Sequence, residues 1–435
     1  MRGVIFMLLQ FSVENFRSFK EKAVLSMEAS NDKGHPDHVV TMGKERLLKT
    51  ASIFGANAAG KSNLFLALTA AILAVRQSND RQMGTPIPMM VPFKFSGDTM
   101  QKPSSFEFVF LAEGKKYVYG FSATRDRVTR EYLYVYHSPR PSTIFERDSG
   151  TVPEYKFTNA AIRKVLQPLT DRNTPNKFFL ATATSWNAEV TRVPFLWFLH
   201  GIDTYPNNFE NLVPKDVAML EQDRDSELKR FIQGVLKKAD INIEDYAFES
   251  HDENAEKFLE RFPPQVRAMV PMEIVNGPHK TFTIRTVHTV REEGKEERSF
   301  WLDLLTEESQ GTKSLFMLSP VLYEAFHQGK VICVDEFDTS LHPLLVSFLV
   351  GLFNDPEINT ANAQLIISAH TTTLLARHLS RDDEIYFVDK NRDTGESELY
   401  SLDDFSTRKN MDIRKAYLLG RFGAIPDVGD GEILW

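Results

Sequence analysis

A single cysteine, Cys333, leaves this 435-residue chain without the pair that an intramolecular disulfide needs, which fits a reducing, cytoplasmic setting. Long apolar runs are missing too, and no stretch approaches the roughly 18 residues that span a bilayer. The apolar opening Met1 to Gln10 is short and no small-residue cleavage site follows, so it reads as a first β-strand and not a signal peptide. Met7 stands just before the strand pattern, and residues 1–6 are expected to be a start-site extension with little structural role. Positive charge is not in excess: the net charge of −8 argues against a surface that coats nucleic acid indiscriminately, which disfavours DNA contact without excluding it through a local basic patch. No internal repeat or low-complexity tract appears.

What is present is the texture of a large α/β protein. Leu9, Phe11 and Val13 alternate with Gln10, Ser12 and Glu14, a half-buried strand pattern, and Ala23 to Met27 is a second strand candidate. Thr50 to Phe54 is a short strand running into a glycine-containing turn, followed by helical periodicity from Ser62 to Arg76. From Pro103 to Tyr136 aromatic and β-branched residues alternate, which predicts an antiparallel meander. A base-stacking platform is the sharper reading of those aromatics, but few basic residues are interleaved, so sheet packing is favoured. Residues 155–270 are more helical and charged, with Asp216 to Lys238 and Asn254 to Phe262 as helix candidates. Strand pattern resumes from Thr281 to Val290. A helix follows Gln310, with Leu315, Leu318, Leu322 and Ala325 on one stripe and Gly329 near its end. Val331 to Val334 and Gln364 to Ile367 are uniformly apolar, as strands buried on both faces of a parallel sheet are.

The sharpest chemical signal is Gly55-Ala56-Asn57-Ala58-Ala59-Gly60-Lys61-Ser62, a complete G-x-x-x-x-G-K-S phosphate loop (Walker A). The glycines let backbone N–H groups turn inward around phosphates, and the helix behind presents its positive end. Lys61 suits the β- and γ-phosphates of ATP, the Ser62 hydroxyl suits Mg²⁺, and Asn63 continues the cradle. Average glycine usage of about 7% would yield such a match by chance in roughly 1–2% of chains this long, and here the strand before and helix after are in place.

Val331-Ile332-Cys333-Val334-Asp335-Glu336 ends a buried strand in two acids (Walker B). Alone, a carboxylate pair there is as readily a solvated terminus. Beside a phosphate loop, Asp335 is expected to anchor Mg²⁺ and Glu336 to polarise the attacking water. Ser309-Gln310-Gly311-Thr312 opens the later helix, Gly311 standing 24 residues before Asp335, and Ser368-Ala369-His370 ends the next buried strand. His342 is equally well the start of the helix at Pro343, and Cys333 reads as a small hydrophobe.

The order of these parts is that of ABC-type ATPases. Phe11-Ser12-Val13-Glu14-Asn15-Phe16-Arg17-Ser18-Phe19 resembles the opening of the RecF and SMC group, and Tyr417 to Pro426 resembles the narrower RloA or AbiL-type ATPases related to OLD-like and PARIS-type phage defence. The resemblance implies an α/β ABC-type phosphate-loop head with a mixed sheet, an antiparallel β-meander lobe and a helical insertion. It divides the chain into residues 1–140 (N-terminal head with Walker A and the β lobe), 141–280 (mainly helical insertion or lid) and 281–435 (signature, Walker B, D-loop and switch histidine). It implies a homodimer closing over two nucleotides, with Ser309 and Gly311 of one subunit capping the γ-phosphate held by Gly55 to Ser62 of the other. Glu336 becomes the general base, His370 the γ-phosphate sensor, Asp338 a residue of the dimer seam, and Arg17 a residue near the nucleotide.

The signature turn lacks the leucine and second glycine of transporter sequences, which implies slow or partner-dependent hydrolysis. Gln77 and Gln82 both stand as candidates for the second Mg²⁺ loop. The function implied is an ATP-dependent sensor of an anti-phage, abortive-infection system controlling a separate effector such as a Toprim-type nuclease. The 65 residues after His370 carry no Glu with a distant Asp-x-Asp, and Asp403-Asp404 are merely adjacent, so the effector is expected in trans. The alternatives are a RecF- or SMC-like DNA-repair ATPase, or a nucleotide-binding scaffold with negligible turnover.

Overall fold

A computed structural model describes residues 6–205, 213–223, 226–239, 242–260, 263, 267, 271, 275, 279–290, 297–408 and 411–426. The chain forms two compact units, one of residues 1–207 with 324–435 and the other of residues 208–323. Among the described residues no helix is long and apolar enough to cross a membrane.

The first unit is built on two sheets. The larger is antiparallel, with spatial order β10-β9-β8-β7-β6-β1-β2. Its strands are β1 (Phe6–Glu14), β2 (Ala23–Ser26), β6 (Ser104–Ala112), β7 (Lys115–Ala123), β8 (Val128–Tyr136), β9 (Pro141–Asp148) and β10 (Tyr155–Lys156). The alternating aromatics of β6 and β7 form its inner face: Phe106, Phe108, Phe110, Tyr117, Tyr119 and Phe121 are all buried. Phe110 stacks on Trp197 with ring centroids 4.1 Å apart, so these rings pack the core and present no platform to a base. Phe6 opens β1 opposite Ala112, so the ordered strand begins one residue inside the expected extension; residues 1–5 lie outside the described residues.

The second sheet is mixed, in the order β11-β15-β16-β5-β17-β18. Its strands are β5 (Thr50–Phe54), β11 (Ile202–Tyr205), β15 (Val331–Val334), β16 (Gln364–Ser368), β17 (Ile385–Lys390) and β18 (Ser397–Ser401), and all pairs but β17–β18 are parallel. β5, β15 and β16 are buried throughout, the signature of strands covered on both faces. A small hairpin, β3 (Val39–Met42) with β4 (Glu45–Leu48), completes the unit. Gln364 ties distant segments together by accepting from the Leu8 amide at 2.7 Å and donating to the Leu8 and Leu48 carbonyls.

The observed division differs from the one read off the sequence. Residues 141–205 belong to the first unit, because Phe178, Phe179, Trp197 and Phe198 are fully buried in its core, and because β11 pairs with β15. The second unit carries the helices Val213–Gln222 and Glu227–Lys238. It also holds an antiparallel sheet of β12 (Asp245–Glu253), β13 (His279–Val290) and β14 (Arg298–Asp303). The helix Gln310–Gln328 buries Leu315, Leu318, Leu322 and Ala325, the stripe its spacing predicts, and Gly329 follows it at φ 64°.

Candidate functional site

Because β15, β16 and β5 run parallel and adjacent, their C-terminal ends emerge along one edge of the sheet, where ligands of α/β folds bind. The loop 55–60 leaves β5 there, Asp335 and Glu336 leave β15, and Ser368 to His370 leave β16. The acid strand and the loop strand are separated by a single strand, so about 10 Å of sheet width lies between them.

The loop needs its glycines. A Cβ on Gly55 would lie 2.4 Å from the Val388 carbonyl of β17, and Gly60 sits at φ 120°, where a Cβ would lie 2.4 Å from Ser397 Oγ and 2.8 Å from Ser18 Oγ. Behind it the helix Lys61–Arg76 starts at Gly60 with no side-chain cap and no acidic residue in its first turn, so its positive end is not neutralised by the chain itself. The Lys61 ammonium donates to the carbonyls of Gly55 (2.7 Å) and Ala56 (3.2 Å). Burial pulls its pKa below the ordinary lysine value, while Asp335, Glu336 and Asp338 act in the opposite direction through charge. Those three carboxylates therefore share one electrostatic environment with the loop lysine. Asn63 donates to Ser18 Oγ at 2.8 Å, tying the segment after β1 to the first turn of the helix.

Asp335 is 3% exposed. Its Oδ1 accepts from the Ser368 hydroxyl, and its Oδ2 is buried without a partner. An ionised carboxylate so enclosed calls for a cation or donor. Glu336 is exposed at φ 52°, a left-handed backbone held by its N–H donating to Ser368 Oγ at 2.7 Å. Asp338 accepts from the amides of His370 (2.8 Å) and Thr371 (2.6 Å), and its Oδ1 has no partner. It therefore fixes the turn carrying the exposed His370 within this unit. A magnesium triphosphate fits this set: an uncapped helix end for phosphate, a lysine in the loop, and a buried carboxylate oxygen for the metal.

Arg17 has φ 50°, donates its N–H to the Val91 carbonyl, and keeps a buried Nε without a partner. A cavity of about 1030 Å³ opens beside the loop, lined by Ala56, Asn57, Ala58 and Ala59, by Phe95, and by the β17–β18 turn around Asn391. Ser309 and Gly311 lie in the second unit, where Ser309 Oγ pairs with Thr312 Oγ1 (2.8 Å) and caps its own helix.

Neither glutamine candidate suits the magnesium loop. Gln77 ends the 16-residue helix that Lys61 begins, about 24 Å away at 1.5 Å per residue, and Arg81 bonds back to Ala74, which puts Gln82 at that far end too. His342 accepts from the Leu344 amide and caps the helix Pro343–Asn354. Asp403 and Asp404 form a capping box with Ser401. Burial pushes the Cys333 thiol well above its usual range, so it is an inert core side chain. Sequence reasoning missed Ser368, which holds both acids in place, and Ser397, which donates to the Ala59 carbonyl. A serine closing the otherwise apolar run of β16 is the signal that could have found the first.

A family model described as "AAA domain, putative AbiEii toxin, Type IV TA system" matches residues 51–376, about three quarters of the chain. No curated protein sequence matches it. Among solved structures the chain is similar to an Smc head bound to the C-winged-helix domain of ScpA (14% identity, 91% of this chain and 97% of that one, TM-score 0.42). It is also similar to an SMC head domain from Thermotoga maritima (12% identity, 91% and 98% covered, TM-score 0.36). A third is an Smc head with an extended coiled coil bound to the C-terminal domain of ScpA, derived from Pyrococcus furiosus (14% identity, 96% and 99% covered, TM-score 0.38).

Proposed function

The chain belongs to the AAA-domain family described as a putative AbiEii toxin of type IV TA systems, and from that premise we propose that it binds and hydrolyses magnesium ATP as the sensor and regulatory subunit of a bacterial anti-phage system. The observation that carries the ATPase part is the shared edge of β5, β15 and β16. It gathers an uncapped loop helix, the loop lysine and a buried carboxylate with one unpartnered oxygen.

Each residue has a role in this reading. The amides of Gly55 to Ser62 and the helix end receive phosphate oxygens, and Lys61 exchanges its loop carbonyls for them. Ser62 and Asp335 would hold the metal, with Ser368 orienting the carboxylate. Magnesium, when bound, neutralises phosphate charge. Glu336, exposed at the strand end, takes or directs the proton of the attacking water. His370 offers its ring to the transferring group, and Asp338 positions it. Arg17 adds a cation from the segment after β1, and Asn63 supports that segment. Ser309 and Gly311 of a second copy complete the site, so turnover follows dimer closure, and closure gates a nuclease-like effector supplied by another chain. The family description and the resemblance of Tyr417 to Pro426 to RloA- or AbiL-type ATPases support the defence role.

Glu336→Gln tests the chemistry. Turnover is expected to fall by at least ~100-fold, the scale of a lost general base, while ATP stays bound and the dimer accumulates. A substituted protein that hydrolyses ATP at the original rate overturns the assignment. For the biological role, cells carrying the chain with its neighbouring genes are challenged with phage. Lys61→Ala should abolish protection; equal protection with and without that change sinks the regulatory reading.

A further inference from the structure

Away from the phosphate loop, at the opposite end of β5, the segment His35-Pro36-Asp37-His38 is laid against the segment 377–384. Arg381 Nη1 donates to the Asp32 (3.2 Å) and Gly34 carbonyls, and the Ser30 amide donates to Asp383 Oδ2 (2.8 Å). His35 Nε2 lies 2.7 Å from the Arg377 carbonyl, and His38 Nδ1 lies 2.8 Å from Glu384 Oε2. A carbonyl can only accept, so His35 Nε2 carries the proton. Glu384 also receives the Thr50 hydroxyl (2.6 Å) and the Arg381 amide (2.8 Å), the pattern of an ionised acceptor, so His38 Nδ1 carries the proton as well. In the neutral rings this leaves His35 Nδ1 and His38 Nε2 as lone pairs.

The two imidazoles lie 4.6 Å apart, and one ligand atom from each of His35, Asp37 and His38 falls within 4.8 Å of the others. Two imidazoles and a carboxylate, each ring also hydrogen-bonded to a carbonyl or a carboxylate, is a donor set that suits a zinc-class divalent metal. His35 sits at φ 47°, a left-handed conformation that the surrounding bonds must enforce. Asp37 and His38 also line a cavity of about 450 Å³ together with Asn354, Asp355, Glu357 and His378. Asn354 in that cavity is 5% exposed, and its Oδ1 is buried without a partner. The loop is therefore anchored, the donor tautomers are set, and polar groups wait on the cavity side.

We propose that His35, Asp37 and His38 form a second metal site, distinct from the phosphate-loop site, which takes one zinc-class divalent cation and leaves a coordination position open toward the cavity. All three ligands come from the segment 35–38, and the hydrogen bonds of His35 to Arg377 and of His38 to Glu384 hold that segment in place.

The test uses the full chain, stripped with chelator and titrated calorimetrically with Zn²⁺, with Mn²⁺ and Mg²⁺ as comparison arms. Cobalt substitution provides a spectroscopic readout of four-coordinate nitrogen and oxygen ligation. One equivalent of Zn²⁺ is expected, bound more tightly than Mn²⁺ and far more tightly than Mg²⁺. Asp37→Ala, at an exposed position, should weaken binding at least ~10-fold without unfolding the protein, and His35→Ala should abolish it. Glu384→Gln should weaken it ~10- to 100-fold, the usual cost of a lost outer-shell partner. Nucleotide affinity of Asp37→Ala should match the original, which separates this site from the ATP reading. Absence of a Zn²⁺ equivalent in the folded original, or an equivalent that survives both Asp37→Ala and His35→Ala unchanged, overturns the proposal.

Discussion

Ser368→Ala removes one hydroxyl that serves two partners. That hydroxyl donates to Asp335 Oδ1 and accepts from the Glu336 amide at 2.7 Å. A hydrogen bond to a charged group contributes about 1.5–3 kcal/mol, and one from a neutral, part-buried amide such as that of Glu336 about 0.5–1.5 kcal/mol. Asp335 is 3% exposed and its other oxygen already lacks a partner, so little solvent is available to compensate. The expected loss is about 3–4 kcal/mol, which is roughly a 150- to 900-fold change in the folding equilibrium. Denaturant unfolding of the nucleotide-free chain should report it as a lower midpoint at unchanged slope. A positioning role adds a second readout: with Asp335 no longer aimed, the Mg²⁺ needed for half-maximal ATP binding should rise at least ~10-fold. In an Asp335→Asn background Ser368→Ala should cost much less, because the charge it serves is gone. A stability change under ~0.5 kcal/mol, or equal losses in both backgrounds, would refute the reasoning.

Gly60→Ala should fold but lose most nucleotide affinity in a binding titration, since the new methyl meets Ser397 and Ser18 in a backbone at φ 120°; adding Ser397→Gly should restore part of it. Glu131→Ala should lower stability by about 3–5 kcal/mol in thermal or denaturant melts, because it removes the buried carboxylate that accepts the Phe179 and Leu180 amides and the Tyr119 hydroxyl. Cys333 should react with a thiol reagent in the folded protein far more slowly than in denaturant, burial having raised its pKa and closed off access.

The parts legible in the sequence were those written in short spans. The phosphate loop needs a strand, two glycines and a helix within some 25 residues, and each is visible by itself. The apolar runs of β15 and β16 announced parallel strands because burial on both faces erases alternation. What the sequence hid were partnerships. β11 is four residues long and becomes a strand by lying beside β15. The helices Phe179–Ser185 and Glu189–Leu196 have visible periodicity, but nothing local says that their neighbours Trp197 and Phe198 pack on Phe108 and Phe110. β12 carries Asp245, Glu249, Asp252 and Glu253 and looks like a solvated segment until β13 pairs with it. Ser368 is one hydroxyl in an apolar run, and its importance depends on two groups more than thirty residues away.

The placement of β5 between β16 and β17 has a consequence for synthesis on the ribosome. Both flanking strands come from the last quarter of the sequence, so the phosphate-loop strand is made early and then waits without either neighbour. At about 5–20 residues per second, the 333 residues from Phe54 to Phe387 take roughly 20–70 seconds to appear. Through that interval an apolar strand with two open edges is available to wrong partners. A nascent chain of this design is expected to depend on chaperone cover until β16 and β17 emerge, and nucleotide capture should follow their arrival.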